Sequence, residues 1–241
     1  MKLAILSDIH GNDVALEAVL ADLAKEAPAQ MICLGDVATG VQPREVLARL
    51  RELAIPIVQG NHDAWLLDPK PWGQDSDFYR RICEIDLWGA AQLTDTDRAF
   101  LRTFQKTVQL EIGGKTILCF HGSSYSHSDL LFAHSPDADL SPFLDHFSAD
   151  IFVGGHTHQP FVRRYRDKLL LNPGSVGLPF VKIDGTQRTP PWAEYALLTV
   201  KSERLSVDLR QVAVDKTAVR QAALTSGMPH AKWWIQQQEE G

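Results

Sequence analysis

The amino-terminal quarter of the chain alternates short apolar runs with segments of helical periodicity. The apolar runs at 3–6, 31–34 and 55–58 are short enough for buried strands. The segments at about 12–27 and 43–53 have the spacing of helices. Asn12 or Asp13 can cap the first helix, and Pro43 suits the first turn of the second. Strand, helix, strand, helix, strand is the pattern of a parallel sheet with helical crossovers. The chain is therefore predicted to belong to the α/β class.

The alternation of predicted strands and helices ends after residue 63. Loop-forming residues at 68–73 precede two segments with helical spacing, at about 78–88 and 95–104. Thr94 is suited to cap the second of these helices. We predict a helical insertion at about 64–106 that lies beside the sheet.

Hairpins are predicted in the second half of the chain. Gly113-Gly114 separates two runs of strand-forming residues, and two further pairs of runs lie at 161–165 with 168–171 and 195–200 with 205–209. The two later hairpins are expected to make a second sheet. A helical tail is predicted from about Lys216, with a break near Gly227.

Length and charge limit the possible functions. The 241 residues, 44% of them hydrophobic, can bury a sizeable core, and we expect a single domain over residues 1–241. A formal net charge of −6 provides no general basic surface, so stable binding to nucleic acid or to a membrane is not expected. A small phosphorylated substrate remains compatible, because bound metal ions supply positive charge that composition does not reveal. The oligomeric state is left open.

The three cysteines indicate a reducing compartment. Cys33, Cys83 and Cys119 are odd in number and far apart, so they are predicted to be core thiols rather than a disulfide framework. The first eight residues contain too short an apolar run for a signal peptide, and no run approaches membrane-spanning length. We therefore expect a cytoplasmic protein.

Two histidines follow the buried run at 151–153 and its two glycines. If the chain stays extended there, positions i and i+2 project to one side and bring His156 and His158 together as candidate metal ligands. An ordinary polar loop is an equally simple alternative on this stretch alone. Potential ligands, among them five of the nine histidines, follow five predicted strands, in Asp8-Ile9-His10, Gly35-Asp36, Gly60-Asn61-His62-Asp63, His121-Gly122 and Gly155-His156-Thr157-His158.

These five loops predict one metal site. Ligands bind at the carboxyl ends of the strands in open α/β sheets. Asp, Asn and His without thiolates suit Mn²⁺, Fe²⁺, Zn²⁺, Co²⁺ or Ni²⁺ better than a structural zinc finger. These donors are too many for one tetrahedral ion, whereas two ions about 3.5–4 Å apart that share a carboxylate would use seven of them.

The order of the motifs resembles the complete motif set of the calcineurin-like metallophosphoesterases. The resemblance extends over at least residues 3–178, because 8–12 and 172–177 also resemble the small prokaryotic phosphodiesterase branch. It implies a sandwich of two mixed β-sheets flanked by helices. It also implies a dinuclear centre with Asp36 as the bridge, in which one ion is held by Asp8, His10, Asp36 and His158 and the other by Asp36, Asn61, His121 and His156.

The resemblance further implies a hydrolytic mechanism. Water shared by two cations would lose a proton near neutral pH and attack phosphorus as a bridging hydroxide. His62 would stabilise the transition state or protonate the departing oxygen. Asp63 could orient His62 or, equally, cap a helix. Asn12 could bind the phosphate or cap its helix, and His127 could line the pocket or be an ordinary loop residue.

One departure from a related class narrows the predicted reaction. Protein serine/threonine phosphatases follow their Gly-Asp with an Asp-Arg pair, whereas this chain has Val37-Ala38-Thr39-Gly40. The arginine that would grip a phosphomonoester is absent from that place, so we predict phosphodiester hydrolysis. Hydrolysis of phosphomonoesters, nucleotides or dinucleoside polyphosphates at the same centre is the alternative, and a noncatalytic scaffold is the alternative from another class.

Overall fold

The computed structural model describes residues 1–183, 186–202 and 204–240. Its helices are Asp13–Glu26 (α1), Pro43–Leu53 (α2), Asn61–Leu67 (α3), Asp77–Gln92 (α4), Asp95–Leu101 (α5), Asp137–Leu144 (α6), Lys216–Thr225 (α7) and Ala231–Glu240 (α8). Its strands are Lys2–Leu6 (β1), Gln30–Cys33 (β2), Thr107–Ile112 (β3), Lys115–Phe120 (β4), Ile151–Val153 (β5), Phe161–Tyr165 (β6), Lys168–Asn172 (β7), Val181–Ile183 (β8), Thr186–Arg188 (β9), Trp192–Lys201 (β10) and Arg204–Ala213 (β11).

The first sheet has four strands in the order β11-β10-β1-β2. β1 and β2 are parallel, as the alternation of strand and helix predicts, and β10 is antiparallel to β1. The third predicted strand is reduced to isolated bridges at Ile57 and Val58. Pro56 has no N–H to extend a ladder, and the chain turns into α3 only three residues after Val58.

The second sheet has five strands in the order β3-β4-β5-β7-β6. β5 is parallel to β4 and to β7, and hairpins place β3 and β6 at the edges. The expectation that the two later hairpins form one sheet is wrong, because β6–β7 joins this sheet while β10–β11 extends the first. β10 is buried continuously from Ala193 to Leu198, and such a strand needs neighbours on both edges and cover on both faces.

The core lies between the two sheets and beneath the helices. Side chains from both sheets form one buried cluster, which includes Leu3, Ile5, Ile32, Leu34, Ile117, Cys119, Ile151 and Val153. The opposite face of the first sheet packs against α1 and α2, and that of the second sheet against α6. Two mixed sheets flanked by helices confirm the predicted fold class. The three cysteines are buried and free, as predicted.

Helices α3, α4 and α5 occupy the predicted insertion. Thr94 caps α5, where its hydroxyl accepts a hydrogen bond from the Asp97 N–H. The tail forms α7 and α8 with a break between them, as predicted, and α8 packs on α4 through Trp233, whose ring lies 5.4 Å from that of Phe78. Among the described residues, no helix has the length and apolarity that crossing a bilayer requires.

Candidate metal centre and adjoining cavity

The seven predicted metal ligands meet where strand ends from both sheets come together. Four strands supply six of them, since Asp8 and His10 follow β1, Asp36 follows β2, His121 follows β4, and His156 and His158 follow β5. Asn61 is the first residue of α3. Backbone hydrogen bonds join the loops, among them those from the Asp8 N–H to the Gly35 carbonyl at 3.0 Å and from the Gly155 N–H to the His121 carbonyl at 2.8 Å.

Asp8, His10 and His158 form one candidate ligand group. One donor atom from each lies within 4.8 Å of the others. The two Nε2 atoms of His10 and His158 are 3.1 Å apart, and His158 Nε2 is also 3.1 Å from Asp8 Oδ1. The three side chains therefore point into one small space.

Asp36, His121 and His156 form a second group with the same 4.8 Å spacing. His121 Nε2 lies 3.1 Å from Asp36 Oδ2 and 3.2 Å from Asn61 Oδ1. The rings of His121 and His156 have centroids 5.1 Å apart. His156 and His158 consequently belong to different groups, although a single residue separates them.

The backbone at the histidine pair differs from the sequence expectation. His156 and His158 have φ angles of 66° and 54°, so the chain is not extended there and the premise of one common side is wrong. Unlike the two histidines, Gly154 and Gly155 are not in the left-handed region. Their lack of a side chain instead lets neighbouring residues lie close to the backbone. A Cβ atom on Gly155 would overlap the Ser7 hydroxyl, and one on Gly154 would lie 2.7 Å from the Phe120 ring.

Hydrogen bonds at Nδ1 orient three of the histidines. His121 Nδ1 donates to the Leu34 carbonyl at 2.7 Å, and His158 Nδ1 donates to the Leu178 carbonyl at 2.6 Å. His10 Nδ1 pairs with the Thr39 hydroxyl at 3.1 Å. Since a carbonyl can only accept, the proton of neutral His121 and His158 is at Nδ1 and leaves an Nε2 lone pair for a metal.

Opposite charges dominate the electrostatics of the two groups. Burial opposes ionisation of Asp8, but His158 and then His121 lower its pKa to about 2. Burial also opposes ionisation of Asp36, whose pKa is held well below its ordinary value by His121 and His62. Burial also opposes protonation of His121, but the Asp36 carboxylate, together with Asp8 and the Leu34 carbonyl, raises the pKa of His121 to about 10. Protons on histidine thus balance the carboxylates, and bound cations would replace those protons.

The donor atoms fit metal ions. Asp8 Oδ1 is buried and makes no hydrogen bond of good geometry among the described residues, and the Nε2 atoms of His158, His10 and His121 lie 3.1, 3.9 and 3.9 Å from it. A buried carboxylate oxygen is costly unless a cation or a donor compensates its charge. Burial, together with His158 and His62, lowers the pKa of His10 to about 3, so that its ring is neutral and able to coordinate. Carboxylate, amide and imidazole donors match the transition metals predicted from the sequence.

Asp63 caps a helix. Its Oδ2 accepts hydrogen bonds from the N–H groups of Asp36 and Gly60, both at 2.8 Å, and its Oδ1 accepts one from Val37 at 2.9 Å. Both oxygens are therefore bonded to backbone, and the side chain is fully buried. Of the two alternatives, the structure shows capping of α3. Burial and then the Asp36 charge raise the pKa of Asp63 to about 6.

Asn12 and His127 differ in their relation to the centre. Asn12 caps α1 through Oδ1 and donates from Nδ2 to the Gly177 carbonyl at 3.1 Å, and it also lines the cavity beside the metal groups. His127 is exposed and lines a separate cavity with Lys106 and Ser123. The structure therefore does not bring His127 into the main cavity.

A cavity of about 560 Å³ opens beside the ligand groups. His62 lines it together with four predicted ligands, and the His62 ring meets that of His10 edge-on at 5.2 Å. Aromatic side chains form much of the remaining wall: Trp72, Phe78, Tyr79, Phe180 and Trp234. Both the helical insertion and the tail thus border the site.

Sequence reasoning missed two residues here. The Thr39 hydroxyl pairs with the His10 ring, and no sequence motif indicates that contact. Asp86 is a buried carboxylic acid in the cavity wall. Its signal is its position on α4, four residues after Ile82 and eight after Phe78, which places a charged residue on the apolar face of the helix.

Known proteins resemble the chain over most of its length. The model of the calcineurin-like phosphoesterase superfamily domain matches residues 1–203. An uncharacterized protein of Methanocaldococcus jannaschii is 33% identical over 195 residues, covering 73% of this chain and 76% of that protein. The phosphodiesterase YfcE of Escherichia coli K12 is 27% identical over 192 residues, covering 74% and 81%. A solved metallophosphoesterase from Sphaerobacter thermophilus has the same fold, with a TM-score of 0.75, 23% identity and coverage of 99% and 98%.

Proposed function

The chain belongs to the calcineurin-like phosphoesterase superfamily, and we propose that it is a dinuclear metal-dependent phosphodiesterase that acts on a small substrate. One observation carries the proposal: two ligand groups converge beside a cavity that His62 also lines. The likeness to a phosphodiesterase, YfcE, supports the choice of reaction. A scaffold protein would have little need for the complete set of donors together with His62.

Both cations would be held by the groups already described. Asp8, His10 and His158 would bind one, Asn61, His121 and His156 the other, and Asp36 would be shared. When bound, two such cations supply an activated water as nucleophile and neutralise charge on the phosphoryl oxygens. Mn²⁺, Fe²⁺, Zn²⁺, Co²⁺ and Ni²⁺ all suit these donors.

His62 would act on the leaving group. Its backbone N–H donates to Asp36 Oδ1 at 2.8 Å, which fixes the start of α3 against the centre, while its ring faces the cavity. An imidazole in this place can donate a proton to the departing alkoxide or stabilise the charge that develops on it. An alkoxide is a poor leaving group, so this help matters most for an alkyl diester.

The segment after Asp36 supports a diester substrate. Val37 and Ala38 are buried, and the Thr39 hydroxyl is engaged with His10. No cation is therefore contributed by residues 37–40 to grip the second charge of a monoester. Phosphomonoester hydrolysis is the alternative, and one observation favours it: the exposed guanidinium of Arg188 also lines the cavity.

Two chromogenic substrates test the proposal. Purified protein supplied with each of the five metals should hydrolyse bis(4-nitrophenyl) phosphate faster than 4-nitrophenyl phosphate. The reverse preference would favour the monoesterase. Absence of turnover of both substrates with all five metals would sink the enzymatic function.

A further inference from the structure

Asp86 is a buried acid that the proposed reaction does not use. Only 5% of the residue is exposed, and its Oδ2 has no hydrogen-bond partner among the described residues. Burial raises the pKa of Asp86 to about 7, with a lowering influence from His62 and a raising one from Asp36. Burying a carboxyl oxygen without a hydrogen-bond partner is unfavourable, so packing alone does not account for this residue.

The other α4 residues that line the cavity are apolar or aromatic. Phe78, Tyr79, Ile82, Ile85 and Asp86 line the cavity, and their spacing places them on one face of α4. The other charged residues of α4 do not line the cavity. Asp86 is thus a single polar group set in a hydrophobic helix face.

Flat side chains from three other segments complete the wall. Trp72 precedes α4, Trp234 lies on α8, and Phe180 stacks on the His158 ring at a centroid distance of 4.9 Å. Phe180 therefore brings the aromatic wall directly to the metal groups. A volume of about 560 Å³ is large enough for a phosphoryl group together with a substantial organic substituent.

The chemistry of such a substituent follows from the wall. Aromatic side chains favour a flat ring, which they can stack against. A carboxyl oxygen without a protein partner favours a ring edge that carries an N–H donor. A nucleobase combines both features.

We propose that the cavity binds the base of a nucleoside phosphodiester, with Asp86 accepting a hydrogen bond from a ring N–H of that base. This inference rests on the proposed phosphodiesterase function and deepens it. Asp86 then has the role of a specificity-determining residue, supplied by the helical insertion.

A pair of substrates isolates this hydrogen bond. Uridine 2′,3′-cyclic phosphate carries one ring N–H, and its N3-methyl analogue lacks it; both have a single organic group, so nothing else competes for the cavity. The wild-type protein should show a kcat/KM about tenfold lower for the methylated substrate. Asp86→Ala should reduce that ratio to near one, Asp86→Asn should restore part of it through its amide oxygen, and Glu84→Gln, on the same helix outside the cavity, should keep the wild-type ratio.

Hydrolysis of bis(4-nitrophenyl) phosphate separates the two possible failures. If the wild-type protein does not hydrolyse it, the proposed function fails. If it does, but the two uridine substrates have equal kcat/KM values or neither is hydrolysed, the inference about the base is overturned while the proposed phosphodiesterase function is retained. A full ratio retained by Asp86→Ala would overturn the role of Asp86.

Discussion

Five of the predicted ligands have backbone φ angles that residues other than glycine rarely adopt. Their φ angles lie between 47° and 66°, in Asp8, His10, Asp36, His156 and His158. Each such residue costs about 1–3 kcal/mol and persists only where the surroundings enforce it. Hydrogen bonds from the His10 N–H to the Asp36 carbonyl and from the Gly11 N–H to the Val37 carbonyl provide part of that enforcement.

Asp36 and His62 should respond differently to substitution. His62→Ala should keep both metals and lose most diester hydrolysis, by about 10²–10⁴-fold, because only proton transfer or charge stabilisation is removed. Asp36→Asn should lose metal as well, because the variant lacks the shared anionic ligand. Metal analysis of each purified variant, beside kcat on bis(4-nitrophenyl) phosphate, distinguishes these outcomes. Equal metal loss in both variants would contradict the separate role of His62.

Asp86 should make the metal-free protein less stable as the pH rises. Its folded pKa of about 7 is above the ordinary value of 3.8, so the folded state holds this proton more tightly than the unfolded chain does. The penalty is absent below about pH 4 and grows up to about pH 7, at about 1.4 kcal/mol per pH unit. Asp86→Asn should therefore gain stability over the wild type at pH 8 but far less at pH 5.

Urea unfolding in the presence of a chelator measures this difference at both pH values. Asp208→Asn is the control, because Asp208 is exposed on β11 and its substitution should leave the pH dependence unchanged. A gain for Asp86→Asn that is the same at pH 5 and pH 8 would show that ionisation is not the cause.

At the level of elements, the turn at 172–177 ties the ends of the two sheets together. Asn172 Nδ2 donates to the Gly155 carbonyl at 2.7 Å, and the Ser175 hydroxyl donates to the Asp8 carbonyl at 2.7 Å. The Gly177 N–H also donates to the Asp8 carbonyl, at 3.0 Å. This turn therefore positions one ligand loop from each sheet.

A matched pair of glycine substitutions tests the close packing of these loops. Gly155→Ala should destabilise the protein by about 1–3 kcal/mol and lower its metal content, because the new methyl group overlaps Ser7 beside Asp8. Gly89→Ala should instead be neutral or stabilising by up to about 1 kcal/mol, since Gly89 is helical and a methyl group there would lie 3.8 Å from the nearest atom outside the helix backbone. Thermal unfolding and metal analysis report both effects, and equal behaviour of the two variants would refute the packing argument.

At the level of the whole molecule, the insertion and the tail form one wall of the cavity. Trp233 packs against Phe78 and lies under the Arg81 guanidinium at 5.3 Å, so it joins α8 to α4. Its neighbour Trp234 lines the cavity. The tail lies beyond residue 203, where the match to the family model ends.

The two tryptophans should therefore have separable roles. Trp234→Ala should raise KM for the uridine diester several-fold with little change in metal content, because a stacking surface is lost. Trp233→Ala should mainly lower stability, by about 2 kcal/mol, because the half-buried ring joins two helices. Steady-state kinetics and urea unfolding of both variants check this. A larger KM effect in Trp233→Ala than in Trp234→Ala would reverse the assignment.

Local signals in the sequence were sufficient for most elements and for the candidate ligands. Apolar runs and helical spacing predicted β1, α1, β2 and α2, and Thr94 marked the start of α5, because periodicity and capping act over a few residues. Polar residues after buried strands marked the ligand loops for the same reason. The family resemblance implied that His156 and His158 bind different ions. In the structure the two histidines lie in different ligand groups.

Tertiary structure decided what depends on distant partners. It assigned the two later hairpins to different sheets, since continuous burial of β10 is satisfied only between β1 and β11. In the folded protein, Asp63 accepts hydrogen bonds from three backbone N–H groups. His127 lies outside the main cavity, whereas Asp86 lines it. The Asp63 hydrogen bonds to Asp36 and Val37, and the cavity wall that faces α4, join residues tens of positions apart, so local sequence spacing does not specify these partners.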